Sequence, residues 1–156
     1  MRIRLAAEAD LKRVNELRAQ VSELHAAARP DIFRPGFPQF LADHLHTIHA
    51  DESRHVLVAE QDGTIIAFAC LAEIEMPEKP HKPARRFMEI DEIGVDEICR
   101  GQGVGHAFFA GIRDFAKQQG FDRIELNMWE FNEGALRFYE SLDFRTYRRY
   151  MEYDVE

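Results

Sequence analysis

The chain has 156 residues, 46% of them hydrophobic and 31% charged, with a formal net charge of −8 at pH 7. That length predicts a single domain, residues 1–156, burying about two-thirds of its unfolded surface, and the acidic balance argues against nucleic acid as a partner, because polyanions are bound by positive surfaces. No apolar run can span a bilayer and no signal-peptide pattern opens the chain, so a cytoplasmic location without a membrane partner is expected. Cys70 and Cys99 lack the spacing of a disulfide framework or a zinc site, so no metal is expected.

The elements follow in chain order. Residues 3–5 form a short strand. Leu11, Val14, Leu17, Val21 and Leu24 recur at helical spacing behind Glu8 and Asp10, which suit a helix start. The stretch ARPDIFRPGFP, with three prolines and a glycine, is an irregular loop. A second helix presents Phe37, Phe40, Leu41, His44, Leu45 and Ile48 on one face, with His44, His46 and His49 read as polar helix positions. Apolar runs at 55–59 and 64–74 flank Gln61, Asp62 and Gly63, and Asp-Gly between such runs marks a hairpin. The basic, proline-rich segment 76–86 is a loop. Next come a strand through FMEIDEIGV, a helix on Val104, Ala107, Phe108, Gly111, Ile112 and Phe115, and a short strand at 123–128. A helix capped by Asn132 carries Ala135, Phe138, Tyr139 and Leu142, and a last strand at 146–153 would lie near a sheet edge, where a homodimer can form. The order βααβββαβαβ is mixed α/β.

The junction RGQGVGH, residues 100–106, joins the end of an apolar strand to a periodic helix. Gly101, Gly103 and Gly105 permit a tight turn with uncovered N–H groups, and the helix adds its positive dipole end, so a polyphosphate is the expected guest. A Walker A loop is excluded because no Lys-Ser or Lys-Thr pair follows the glycines. A dinucleotide fingerprint fits poorly, its third glycine coming one residue early.

The spacing that does fit is Arg-x-x-Gly-x-Gly, with Val95 five residues before Arg100. It resembles the acetyl-CoA motif of the GNAT superfamily of N-acetyltransferases. A second signature of that family, Asn-x-x-Ala-x-x-Phe-Tyr, matches NEGALRFY from Asn132. The usual glycine before the next Phe is Asp143 here, and Asp tolerates a left-handed turn. The resemblance covers nearly the whole chain. It implies the GNAT fold: a central, twisted, mostly antiparallel sheet of six or seven strands flanked by about four helices. It also implies acetyl-CoA as cosubstrate and transfer of an acetyl group to a primary amine by direct attack in a ternary complex.

Site residues carry over by position. The resemblance assigns the pantetheine arm to Ile93, Gly94 and Val95, and an oxyanion donor to the main chain near Ile93. It assigns the pyrophosphate to Arg100, Gly101, Gln102, Gly103, Val104 and Gly105, with His106 as a further contact and Asn132 and Ala135 beside the pantetheine. An alkylamine with a pKa near 10.4 is mostly ammonium at neutral pH, so freeing its lone pair costs roughly 4 kcal/mol and requires a base. Glu89 matches the base of histone-type members and Asp91 the acid of spermidine/spermine-type members, while Glu92 reads as structural. Strict alternation places Glu89, Asp91, Ile93 and Val95 on one face unless a bulge intervenes. Tyr139 matches the tyrosine that the family sets beside the thioester sulfur as general acid.

The acceptor falls to the first two helices and their loop, where HAAARPDIFRP is similar to a phrase of a bacterial GNAT subgroup. His25, Asp31, Phe33 and Phe37 can line a pocket, with Asp31 reading a cation. NMWEFNEGALRFYE is similar to the polyamine acetyltransferases, and the acidic charge favours a small amine or polyamine-like acceptor, with peptide amines open. The competing readings are a non-catalytic acyl-CoA sensor or scaffold with this fold, and an unrelated structural α/β domain.

Overall fold

Asp62 and Gly63 have φ of 51° and 78°, the left-handed pair that a two-residue hairpin demands. They fold β2 (Arg54–Gln61) back onto β3 (Thr64–Met76) in the computed structural model, which describes residues 1–155. β1 (Arg2–Leu5) pairs with the far edge of β2, and β4 (Arg85–Val95) pairs with β3, all antiparallel. β5 (Ile124–Leu126) adds to β4 in parallel, giving a five-stranded sheet in the order β1-β2-β3-β4-β5.

The central strand β3 is buried on both faces, which explains its near-continuous apolar run. Ile65, Phe68 and Cys70 pack with Leu11, Val14 and Leu17 of α1 (Leu11–Ala28) and Leu45 and Ile48 of α2 (Gln39–Ala50). On the other face Ala67, Ala69 and Leu71 pack with Phe108, Phe109 and Ile112 of α3 (Val104–Gln118), and Phe138 of α4 (Glu133–Ser141) adds to that cluster. Burial holds the Cys70 thiol protonated, its pKa pushed up to about 12. Cys99 is half-buried and packs against the α3 cluster as filler.

Three expectations need correction. Leu24 and Phe40 are exposed and His44 lies at the surface, while Phe37 precedes α2, because each helix meets the sheet along a narrower stripe than its apolar spacing suggests. The sheet has five strands rather than six or seven, because the 123–128 strand shrinks to Ile124–Leu126 and residues 146–153 form no strand. β5 ends after three residues, too short an edge to template a ladder. The C-terminal segment is held by side chains instead: Tyr147 Oη donates to Glu125 Oε2 at 2.6 Å, and Arg29 donates to Glu152 at 2.9 and 3.0 Å. The stretch expected at a dimer edge is therefore clasped to its own protomer.

The third correction is the facing of β4. Leu71 pairs with Ile90 and Cys70 with Glu92, so Asp91 is an extra residue, a β-bulge. The bulge inverts the alternation: Met88 and Ile90 before it, and Ile93 and Val95 after it, all face the α3 core. Glu89 and Glu92 share the opposite face, with Asp91 on the bulge between them.

Candidate active site

β4 and β5 hold together only from Met88 to Ile90 on β4, and beyond that point β4 keeps a partner on its β3 side alone. Asp96 N–H donates to Ile66 O at 2.8 Å. Because bonding alternates along an antiparallel ladder, Gly94 and Glu92 also bond toward β3, and Ile93 and Val95 turn their N–H and C=O groups to the open side. An extended amide ligand can add there as a strand. The Val95 carbonyl accepts Arg100 Nε at 3.0 Å, confirming its direction.

The junction that follows is anchored from α1. The buried Asp96 carboxylate accepts from Arg13 Nη2 and from Gln20 Nε2 at 3.3 Å, while Gln20 Oε1 receives the Glu97 N–H at 3.0 Å. Gly101 and Gly103 have φ of 72° and 79°, and a Cβ on either would meet nothing within 4 Å. Both therefore border open space. The main-chain N–H groups of residues 101–106 donate to no acceptor among the described residues. Such a row at the head of a 15-residue helix is an anion cradle. Gly105 is helical and serves packing, since a Cβ there would approach the Phe138 ring at 3.1 Å. Val104 is half-buried against the core, and Gln102 Nε2 donates to Ile98 O at 2.9 Å. His106 engages α4 through Ser141 Oγ at 3.0 Å.

On α4, Asn132 Oδ1 accepts the Ala135 N–H at 3.0 Å, the expected cap. Asp143 takes φ 64°, the left-handed turn for which the sequence substitutes Asp for Gly. Tyr139 is 8% exposed between Phe138 and Phe144, and desolvation pushes its pKa up to about 12. Its hydroxyl has no hydrogen-bond partner among the described residues, so it is a protonated donor without a recipient in the protein.

The three β4 carboxylates are sorted by their partners. Glu92 is gripped by Arg18 through two bonds of 2.7 and 2.8 Å; Arg18 is itself buried, donates to Leu41 O at 2.7 Å and lies over the Phe37 ring. Asp91 pairs with Arg54. Glu89 has no cation in contact and only a 3.3 Å hydrogen bond from Asn127. Desolvation, with Asp91 and Glu125 adding repulsion, raises its pKa against the opposing pull of Arg54. Glu89 and Tyr139 line one cleft of about 1760 Å3, bounded by β5, the loop after it and residues 145–152.

The acceptor residues separate. His25 stacks on Phe33 at 5.2 Å, Phe33 meets Trp129 at 5.1 Å, Trp129 stacks on Phe131 at 6.1 Å and Phe131 returns to His25 at 5.8 Å, a closed ring of four aromatic contacts. Burial lowers the His25 pKa and favours its neutral form. Asp31 is exposed and held by Arg29 at 2.7 Å, so its carboxylate is already committed to a cation of the protein. Sequence reasoning did not single out Trp129, Phe131, Glu125 or Arg18. The one tryptophan, inside NMWEF, was the available signal for the first two; the pairings of Arg18 and Glu125 span distant segments and leave no local signal.

The family model described as acetyltransferase (GNAT) family matches residues 8–144. A curated relative, the probable N-acetyltransferase family 8 member 5 of Mus musculus, is 26% identical over 126 residues, covering 76% of this chain and 54% of its own length. The chain thus spans about half the length of that relative. Among solved structures, a tetramutant of the BH1408 protein from Bacillus halodurans superposes with a TM-score of 0.94 at 34% identity, covering 99% of this chain and all of the other. The aminoglycoside N-acetyltransferase AAC(6')-Iy, solved with a CoA bisubstrate analogue, shares the fold at a TM-score of 0.76 and 18% identity, covering 99% of this chain and 97% of that one. No helix among the described residues is long and apolar enough to cross a membrane. The chain belongs to the acetyltransferase (GNAT) family.

Proposed function

We propose that this protein transfers the acetyl group of acetyl-CoA to a primary amine by direct attack in a ternary complex. One observation carries the reading: a carboxylate without a cation in contact, Glu89, and a tyrosine hydroxyl without a protein partner, Tyr139, line one cleft. A sensor or scaffold requires neither.

The open edge at Ile93 and Val95 receives the pantetheine amides, and residues 101–106 receive the pyrophosphate. Glu89 takes one proton from the substrate ammonium, leaving a lone pair to attack the thioester carbonyl. The C–N bond forms, the oxyanion meets main-chain donors at Ile93, and the C–S bond breaks as charge moves to sulfur. Tyr139 keeps its proton across the neutral range and donates a hydrogen bond to that sulfur. The nitrogen loses a second proton as the amide forms, so the products are amide, free thiol and one proton released.

Thiol release from acetyl-CoA over a panel of amines tests the reading, with CoA binding measured by calorimetry. Because the pKa of Glu89 is raised, kcat/KM climbs through an acidic limb placed above the ordinary carboxylate range, and Glu89→Gln removes that limb. Bound CoA without release from any amine would favour the sensor reading.

A further inference from the structure

We propose that the acceptor is a small zwitterion, a primary amine carrying a flat apolar body and a carboxylate, rather than a polycation; this inference rests on the transferase reading above. The net charge of −8 belongs to the whole chain, whereas the cleft is lined by as many arginines as carboxylates. Asp91 is held by Arg54, Glu92 by Arg18, Asp31 by Arg29 and Glu125 by Arg85. Glu89 is left as the acid beside the reacting centre, enough for one ammonium, and a chain of ammoniums would also meet the unpaired Arg145, Arg148 and Arg149 of the same cleft.

The apolar part of the acceptor has a surface to meet. Trp129 and Phe131 line the cleft, nearly parallel at 20°, and His25 and Phe33 buttress them from α1 and the loop after it. Trp129 keeps 39% of its surface exposed and therefore has a free area on which a flat group can lie.

The third element is unpaired positive charge. Arg145, Arg148 and Arg149 line the cleft from the C-terminal segment, and no carboxylate among the described residues lies within ion-pair distance of them. Glu130, Glu140 and Asp143 line it from the β5–α4 side, likewise unpaired. The cleft thus offers unpaired carboxylates, unpaired guanidiniums and an aromatic surface, matching an amine, a carboxylate and an apolar body. The same segment is held to the body of the protein by Tyr147 on Glu125 and by Glu152 on Arg29.

The test compares phenylalanine, 2-phenylethylamine and spermidine as acceptors, with thiol release as readout and CoA binding followed by calorimetry. Wild type should favour phenylalanine over 2-phenylethylamine by about tenfold or more in kcat/KM, the value of a charge-assisted hydrogen bond, and spermidine should be the poorest. Trp129→Ala should lower kcat/KM for phenylalanine about tenfold, chiefly through KM, with CoA affinity unchanged. Replacing Arg145, Arg148 and Arg149 together by Ser should erase the difference between phenylalanine and 2-phenylethylamine. Preference for spermidine, or equal use of the two phenyl compounds by wild type, overturns the inference and leaves the transferase reading standing. No release from any of a broad amine panel while CoA still binds overturns both.

Discussion

On the proposed donor side the groups offered to the ligand are main-chain atoms: the open edge of β4 at Ile93 and Val95 and the uncommitted N–H groups of residues 101–106. On the proposed acceptor side they are side chains, an aromatic ring of four residues and a set of arginines drawn from segments distant in sequence. The donor half is fixed by a strand, a bulge and a helix start, which many side chains permit. The acceptor half depends on particular residues in loops, so it can change while the donor half stays the same. This is the physical sense in which one fold serves many acceptors.

The sharpest way to break the comparison is to remove the two groups that join the halves. Tyr139→Phe and Glu89→Gln should each lower kcat by about a hundredfold or more, with CoA affinity retained in calorimetry. Tyr139 makes no protein hydrogen bond through its hydroxyl, so the Phe variant should melt near the wild-type temperature. For Glu89 the sign runs the other way. A carboxyl whose folded pKa is raised binds more protons folded than unfolded, so its contribution to stability falls as pH rises through the window between the two values. Glu89→Gln should therefore be slightly more stable than wild type at neutral pH and lose that advantage in acid, as urea midpoints at the two pH values will show.

Next in size is Arg18→Ala, which leaves Glu92 without its cation and removes the tie between α1, Phe37 and Leu41. A loss of about 3 kcal/mol in urea unfolding is expected. On the proposed reading, in which the α1–α2 loop serves the acceptor, acceptor KM should rise more than CoA affinity falls. Gly103→Ala should act on the donor half alone: an alanine at φ 79° costs about 1–2 kcal/mol, and calorimetry should show CoA binding weakened about tenfold. The smallest effect is at Asp143, where φ is 64°; Asp143→Gly should raise unfolding stability by at most about 1 kcal/mol and leave both affinities unchanged.

Local signals identified local structure well. The Asp62-Gly63 turn, the Asn132 cap, the left-handed Asp143 and the glycine junction each depend on residues a few positions apart, and each is found in the structure. Alternation along FMEIDEIGV admits a bulge without fixing its place, because the bulge at Asp91 reflects how β4 meets β3 rather than its own composition. The apolar and aromatic pattern of residues 146–153 reads as a strand, yet a strand needs a partner edge, and β5 stops at Leu126.

The family, the fold class and the glycine turn before α3 were legible in the sequence alone, because glycines at fixed spacing beside a helix start are a local pattern. Only the tertiary structure decided which of the β4 carboxylates is left without an ion-pair partner, since that depends on which arginine arrives from another element. It also decided that His25 and Phe33 close a ring with Trp129 and Phe131. Those contacts join residues about a hundred positions apart, and no periodicity within either segment encodes them.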